Sequence, residues 1–405
     1  MAVSVTAVSE AQGTVASRHA ARTQTAVEEG TLYAVVLSSA LIVIGLIWDI
    51  SWHRTIGRDT FWSPPHILEQ GGAIISGLSC GFLVLRTTFA GTGEDRARTV
   101  RFWRYFYGPL GAWVCIWGSL MMVASAPFDA WWHNAYGLDV KIISLPHVIL
   151  ASGMIAIQVG AMLMAVSAQN RAEREEVEPR MRLIFMFAAS LIVLMMQTMM
   201  MERTAFANTM HSAAFYITTA LTIPVFLVAF ACASRASWPA TRIALGYMAI
   251  AILAMWILKL FPGSPMLAPI YRQVTHMVPP PFPVLLFAPA IAIDVLLQSR
   301  RTASDWKLAA MLGVAFVGAL LVVSWPWAEF MLSPYSRNFV FGGDTWDYNS
   351  RPGAWQYEFW DLDRRAGGGW SATLFAMRMG VALLVAIVMS RLGLASGRSL
   401  AKVRR

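Results

Sequence analysis

Charged side chains are scarce in this chain, and their scarcity excludes most classes of soluble protein. Asp, Glu, Lys and Arg make up 14% of the 405 residues and apolar side chains 57%, whereas soluble proteins have roughly 25% and roughly 45–50%. So few charges cannot cover a folded surface in water, which excludes intrinsic disorder and a soluble α/β enzyme. Cysteine is also rare. Cys80, Cys115 and Cys232 lie isolated in apolar segments, which excludes a disulfide scaffold and favours packing roles over a thiolate metal site.

Long apolar segments are present instead. Two of them, LYAVVLSSALIVIGLI and LIFMFAASLIVLMM, approach the roughly 20 residues that a helix needs to cross a bilayer. We therefore predict an all-α protein, a polytopic transmembrane helical bundle of about ten spans arranged as five hairpins. The predicted spans are 31–50, 66–90, 105–128, 146–168, 183–202, 211–234, 243–262, 281–299, 306–332 and 370–393.

The basic residues predict the orientation of this bundle. They cluster in alternate connections, as from Arg96 to Arg104, and in the tail from Arg398 to Arg405. Because basic loops stay on the cytoplasmic side, both termini are predicted to be cytoplasmic, in the plasma (inner) membrane. This placement accounts for the net charge of +9 without a nucleic-acid partner. Most tryptophans and six of the seven histidines fall on the opposite, extracytoplasmic side.

The tips of the first two predicted hairpins contain an internal repeat. In each copy an Asp precedes a His by four positions, Gly and Asp follow that His by four and six positions, and a Pro-His pair opens the returning span. The copies are Asp49, His53, Gly57, Asp59 and His66, and Asp129, His133, Gly137, Asp139 and His147. We call Asp49, His53 and His66 the first ligand set, and Asp129, His133 and His147 the second ligand set. Repetition makes a chance arrangement a poor explanation.

The spacing within each copy is suited to metal binding. Asp and His four residues apart on a helix share one face, with side-chain bases about 5–6 Å apart. Proline preorganises the start of the returning helix, which brings the second His beside the first two donors. Two imidazoles and one carboxylate favour copper, iron or zinc and suit magnesium or calcium poorly. Structural hydrogen bonding at the membrane interface is the alternative, and bis-His haem ligation is weaker because an acid accompanies each pair.

The first tip, WHRTIGRDTFWSPPHI, resembles the signature of the C subunit of the copper membrane monooxygenases, the particulate methane and ammonia monooxygenases. That signature has Asp, three residues, His, twelve residues and His, with an Arg-Asp-Thr and a Pro-x-His segment inside. Here these positions are Asp49, His53 and His66, with Arg58 to Thr60 and Pro64 between the histidines.

The second tip resembles the family's second metal site, a His-x13-His pair with Asn four residues before the first His. His133 and His147 have this spacing, but Asp129 stands where the family has Asn. The departure adds an anionic ligand and changes the electronic properties expected of this site. The close resemblance covers residues 48–70 and 127–151 and extends loosely over the first four spans.

The resemblance implies a copper-dependent membrane monooxygenase subunit that inserts one oxygen atom from O2 into a small substrate, a hydrocarbon or ammonia. It implies that the first ligand set is catalytic and that both sets hold copper, with zinc or iron less favoured. Because the family works with partner subunits, we expect a hetero-oligomer with other monooxygenase subunits. The predicted spans also imply contact with membrane lipid. Whether the chain is catalytic alone stays open.

Three regions follow from these patterns. Residues 1–30 are predicted to form a polar cytoplasmic tail, 31–182 a metal-binding transmembrane core, and 183–405 an additional six-span region with an outer loop at 334–369. Ionisable residues inside spans cost about 2.5–3.5 kcal/mol near the bilayer centre, so Lys259, Asp294 and Arg378 are expected to face the bundle.

Further residues on the outer side are candidate donors. Glu69 lies one turn beyond His66 on the same helix face, so it is a candidate hydrogen-bond partner for a ligand imidazole. His211 opens a returning helix as His66 does, which suggests a degenerate third site. The full group of possible outer partners or extra ligands is Asp59, Glu69, Asp139, Glu202, His211 and His276.

Two other functions remain open. A non-catalytic membrane copper-binding protein, such as a carrier, sensor or assembly factor, would also use duplicate donor sets on the outer face. A zinc-dependent hydrolase is a further alternative, because carboxylate and imidazole ligands also suit zinc.

Overall fold

The computed structural model describes residues 3–57, 60–137, 144–172, 178–266, 274–300, 304–343 and 371–404, and their side chains other than those of 3–23, 178 and 208. The described residues are mostly helical. The helices are α1 (Val3–Thr55), α2 (Pro64–Phe89), α3 (Gly93–Ala97), α4 (Leu110–Tyr136), α5 (Leu145–Arg171), α6 (Glu178–Met199), α7 (Met201–Thr204), α8 (Ala213–Thr222), α9 (Pro224–Ala233), α10 (Pro239–Leu258), α11 (Phe287–Ser299), α12 (Asp305–Leu332) and α13 (Ala372–Leu400). A short antiparallel hairpin pairs β1 (Val100–Phe102) with β2 (Phe106–Gly108).

Nine segments of the described chain are long and apolar enough to cross a membrane, which confirms a helical integral membrane protein. The eighth predicted span, 281–299, is instead the 13-residue helix α11, about 20 Å long against a hydrocarbon core of about 30 Å. Prolines 279–281 and 283 delay its start, because each lacks the N–H that a helix requires. The prediction of a full-length span is therefore wrong at this position.

Two other elements differ in their limits from the predicted spans. Helix α1 begins at Val3, so its backbone is helical through much of the predicted polar tail. The sixth span consists of α8 and α9, which are separated at Pro224 because its ring interrupts the helical hydrogen bonds. The arrangement as five hairpins and the cytoplasmic position of both termini stay predictions.

The chain divides into two compact units. The first unit comprises residues 1–42, 68–171 and 404–405, and the second comprises 43–67 and 172–403. The first ligand set therefore belongs to the second unit, and the second ligand set belongs to the first unit. The functional regions 31–182 and 183–405 stay predictions.

Helices α4 and α5 of the first unit meet along four glycines. A Cβ added at Gly118 would lie 2.8 Å from the Gly153 carbonyl oxygen, and one added at Gly153 would lie 2.7 Å from the Gly118 carbonyl oxygen. Gly111 and Gly160 face each other in the same way. We call these four residues the glycine seam. Small residues let membrane helices approach until their backbones touch, and this seam holds together the two helices that carry the second ligand set.

Two ionisable groups of the second unit, Asp294 and Lys259, have partners inside the bundle. Asp294 on α11 is buried, and it accepts hydrogen bonds from Ala240 N (3.1 Å), Thr241 N (2.8 Å) and Thr241 Oγ1 (2.7 Å) at the start of α10. A carboxylate from another helix thus caps amides that α10 cannot satisfy itself. The ammonium of buried Lys259 lies 4.7 Å from the centroid of the Phe339 ring. Both groups lie inside the bundle, as expected for intramembrane charges.

Candidate metal centre

The first ligand set lies where α1 ends and α2 begins. Asp49 and His53 share one face of α1, and Asp49 Oδ2 is 3.8 Å from His53 Nε2. His66 is the third residue of α2, and its Nε2 is 3.2 Å from Asp49 Oδ1. The carboxylate therefore presents one oxygen to each imidazole.

The loop before α2 orients the His66 ring. His66 Nδ1 lies 3.0 Å from the Thr60 carbonyl oxygen, which can only accept, so Nδ1 carries a proton. Thr60 is held in turn by Ser63: the Thr60 N–H donates to Ser63 Oγ (2.8 Å), and the Ser63 N–H donates to the Thr60 carbonyl (2.9 Å). In a neutral His66 ring the lone pair is therefore on Nε2, the atom that faces Asp49.

The second ligand set has a comparable pair at the end of α4, but there the ring held by a backbone carbonyl is the first His of the set, His133, and not the second. Asp129 Oδ1 is 3.4 Å from His133 Nε2, and His133 Nδ1 is 3.0 Å from the Gly137 carbonyl oxygen. Gly137 has a φ of 82°, and its counterpart Gly57 has a φ of 103°. A positive φ is readily adopted only by glycine, so the repeat extends to the backbone that ends each helix. The residue that ends α4 also orients the His133 ring.

His147, at the start of α5, is held differently from His66. Its Nδ1 is 2.6 Å from Ser144 Oγ and 4.0 Å from Asp129 Oδ1. Ser144 precedes α5 as Ser63 precedes α2, and each serine stands three residues before its histidine. Sequence reasoning missed both serines, although the shared Ser-x-Pro-His pattern was a signal for them.

The geometry of these pairs leaves room for a cation. The Oδ1 atoms of Asp49 and Asp129 are buried and accept no hydrogen bond from the described residues, although each faces an imidazole Nε2. A carboxylate oxygen and a nitrogen lone pair repel each other unless a proton or a cation lies between them. With bonds of about 2.1 Å, two ligands about 100° apart are about 3.2 Å from each other, which agrees with the observed 3.2 and 3.4 Å. The residues therefore fit a late first-row metal ion, with an extra imidazole proton as the competing occupant.

Neither set is closed around a single point. Within the described part of the chain, no three His, Cys, Asp or Glu side chains are grouped closely enough to hold a metal ion. The outlying members are His53 and His147, whose side chains are 47% and 39% exposed. Binding by all three donors therefore requires these two exposed rings to move, while His66 and His133 already have an oriented ring.

Two of the other candidate donors, Glu202 and His276, have partners of their own. Glu202 pairs with the guanidinium of Arg54, and His276 Nδ1 lies 2.8 Å from the hydroxyl of the preceding threonine. Glu69 is buried within α2. Asp59 and Asp139 lie outside the described residues.

His211 forms a separate pair with one carboxylate. Its side chain is fully buried, its Nε2 is 3.2 Å from Glu329 Oε1, and its ring centroid is 4.4 Å from that of Trp325. Burial lowers the pKa of His211, and the negative charge of Glu329 opposes part of that shift. An imidazole and a carboxylate are both common metal ligands, and here the carboxylate is that of Glu329.

Comparisons with models of protein families, with curated proteins and with solved structures found no match to this chain. The function assigned to the two ligand sets therefore depends on their residues and geometry.

Proposed function

We propose that this protein is a copper-dependent membrane monooxygenase subunit that inserts one oxygen atom from O2 into a hydrocarbon or ammonia. The observation that carries the proposal is the paired geometry of Asp49 with His66 and of Asp129 with His133. In both pairs a backbone carbonyl occupies Nδ1, which leaves Nε2 and a carboxylate oxygen facing each other. The resemblance of both hairpin tips to the monooxygenase C subunit supplies the choice of copper.

Each member of the first ligand set has a distinct role. Asp49 supplies negative charge, which offsets a cation where few other charges are present. His66 supplies a neutral nitrogen whose direction the Thr60 carbonyl sets, the kind of outer hydrogen bond that raises ligand basicity. Exposed His53 is the third donor, and its Nε2 lies 3.8 Å from Asp49 Oδ2. Bound copper would supply one-electron chemistry with O2 at coordination positions that the protein leaves open.

The second ligand set differs by having Asp129 where the family has a neutral amide. An anionic oxygen attracts a divalent ion more strongly than an amide oxygen does, so we expect this set to favour Cu(II) over Cu(I). Replacing Asp129 with Asn should therefore keep the metal and raise its reduction potential. Complete loss of metal from the Asp129→Asn variant would mean that this set needs a carboxylate ligand and differs from the family's site.

The apolar surroundings suit the proposed substrates. Both ligand sets lie at the ends of membrane-spanning helices, so an apolar reactant can arrive through the lipid. We place the sets on the extracytoplasmic side of the plasma membrane, and we propose a hetero-oligomer with other monooxygenase subunits.

Metal analysis of the purified protein tests the site. The double substitution His53→Ala and His66→Ala should remove one copper ion per chain. The matched control is His276→Ala, which removes an imidazole bonded to Thr275 outside both sets and should leave copper content unchanged. Full copper retention in the double variant would refute the assignment, and zinc or iron in its place would refute the choice of metal.

Product formation tests the reaction. Native membranes supplied with O2, a reductant and short alkanes, alkenes or ammonia should form oxygenated product, and His66→Ala should abolish it. A copper-loaded protein that forms no product with any reductant would contradict the proposed activity.

A copper carrier, sensor or assembly factor is the second candidate. The exposure of His53 and His147, 47% and 39%, favours it, because exposed ligands allow a metal to be passed to another protein. Rapid transfer of copper from both sets to a soluble chelator, together with no turnover, would support this function. Slow transfer with turnover would support the oxygenase.

A further inference from the structure

The β-hairpin before α4 has an unfavourable turn made of large residues. Strands β1 and β2 pair Phe102 with Phe106, and the turn residues Trp103 and Arg104 have φ values of 48° and 66°. Side chains with a Cβ rarely adopt this left-handed conformation. A turn of this kind persists when its surroundings hold it, and strained turns often serve to present particular side chains.

The hairpin lies along the lipid-facing side of α4. The ring centroid of Phe102 is 4.8 Å from that of Trp113, and the centroid of Trp103 is 6.4 Å from that of Trp117. Trp117 is 45% exposed within a membrane-spanning segment, so it faces lipid. It stands seven residues after Leu110, about 10 Å along the helix. The turn therefore lies near the boundary between lipid headgroups and acyl chains.

Three arginines lie in or beside the hairpin, and the guanidiniums of two of them lie against an aromatic ring. Arg96 and Arg101 lie 5.8 and 5.7 Å from the centroid of the Tyr107 ring, and Arg101 Nε donates to the Arg104 carbonyl (2.6 Å). Among the residues that the structure describes, no carboxylate lies within ion-pair distance of Arg96, Arg101 or Arg104. This surface is therefore cationic at a depth where phosphate groups of lipids are found.

We propose that Arg96 and the hairpin Val100–Gly108 form a binding site for the headgroup of an anionic phospholipid. The exposed rings of Trp103 and Tyr105, 66% and 74% accessible, would lie at the interface, where amphipathic aromatic rings are favoured. The guanidiniums would bind the phosphate, whose geometry matches their paired N–H groups. Because the cations lack a carboxylate in the described chain, a headgroup with net negative charge is favoured over a zwitterionic one. The site is independent of the proposed copper chemistry.

Lipid-dependent stability of the full-length protein tests the site. The protein is placed in nanodiscs of phosphatidylcholine, with and without phosphatidylglycerol, and its thermal unfolding is measured while native mass spectrometry counts retained lipids. We expect phosphatidylglycerol to raise the unfolding midpoint and to be retained. The double substitution Arg101→Gln and Arg104→Gln should remove both effects and weaken apparent binding roughly thirtyfold.

Two further variants keep the test specific. Arg98→Gln is the matched control, because Arg98 loses the same charge but is already paired with Glu94 at 2.6 Å; it should respond to phosphatidylglycerol as the wild type does. The double substitution Arg101→Lys and Arg104→Lys keeps both charges and should retain part of the phosphatidylglycerol effect. This variant still tests the site if the double glutamine variant does not fold.

Three results would overturn the proposal. The first is a wild-type unfolding midpoint that is the same with and without phosphatidylglycerol. The second is a phosphatidylglycerol effect in the double glutamine variant as large as in the wild type. The third is that inorganic phosphate, added to the protein in detergent, raises the unfolding midpoint as much as phosphatidylglycerol does. The last result would mean that the hairpin binds a free anion rather than a lipid.

Discussion

Replacing Gly118 with alanine tests whether the glycine seam positions the second ligand set. The new Cβ would lie 2.8 Å from the Gly153 carbonyl oxygen and 2.9 Å from the Ile157 backbone nitrogen, where ordinary contact begins at 3.4 Å. Helix backbone cannot rotate away as a side chain can. Helices α4 and α5 must therefore separate by roughly 0.6 Å, the shortfall between contact and overlap.

The expected cost follows from this overlap. Adding a methyl group to a closely packed interface costs about 1–3 kcal/mol, which lowers the unfolding midpoint by several degrees. Separation of the helices also lengthens the 4.0 Å distance between Asp129 Oδ1 and His147 Nδ1, because these residues lie on opposite sides of the seam. Copper should therefore be lost from the second ligand set and retained by the first.

Thermal unfolding and copper content per chain measure both effects. The matched control is Gly81→Ala on α2, where no described atom lies within 4 Å of the added Cβ. In that helix interior alanine should be neutral or stabilise by about 0.5–1 kcal/mol. If Gly118→Ala unfolds at the same temperature as Gly81→Ala, with copper unchanged, the seam does not control the site.

Three further substitutions test other features. Gly137→Ala should lower the free energy of unfolding by about 1–3 kcal/mol through backbone strain alone. Gly137 has φ 82° and ψ −167°, and a Cβ added there meets no described atom within 4 Å. An unchanged unfolding midpoint would contradict this. Asp294→Asn should lower the free energy of unfolding by about 1–2 kcal/mol, since an amide would replace a carboxylate that accepts three hydrogen bonds from the start of α10. A denaturation curve that matches the wild type would show that this carboxylate does not stabilise α10. Burial lowers the pKa of His211 below its unfolded value of about 6.5, so the unfolded chain takes up the proton first and stability falls as pH drops through that value. His211→Gln should flatten this loss between about pH 7.5 and pH 5.5, and parallel pH profiles would refute the assignment.

Part of the candidate site could be predicted from spacing because it depends on local geometry. Residues four apart on any helix share a face, which is why Asp49 lies close to His53 and Asp129 lies close to His133. The Pro-His pair that opens α2 was enough to predict that His66 returns to Asp49. Whether these residues hold a metal stays a prediction.

Other features of the site depend on contacts that spacing does not specify. Which nitrogen of His66 faces Asp49 depends on where the Thr60 carbonyl lies, and this position follows from the Ser63 turn. In the second set a serine hydroxyl replaces the carbonyl as the partner of His147. Two copies of one motif therefore differ in ring orientation, although their sequence spacing is nearly the same.

The sequence by itself determined the membrane class of this protein, because burying long apolar segments in lipid is favourable segment by segment and needs no tertiary contact. It also determined the helical pairing of Asp and His at the two tips. Only the tertiary structure decided which glycines meet across α4 and α5, which carboxylate caps α10, and which imidazole nitrogens face Asp49 and Asp129. These features require groups far apart in the chain to approach within a few ångströms, and the pattern along a single segment contains no measure of that approach.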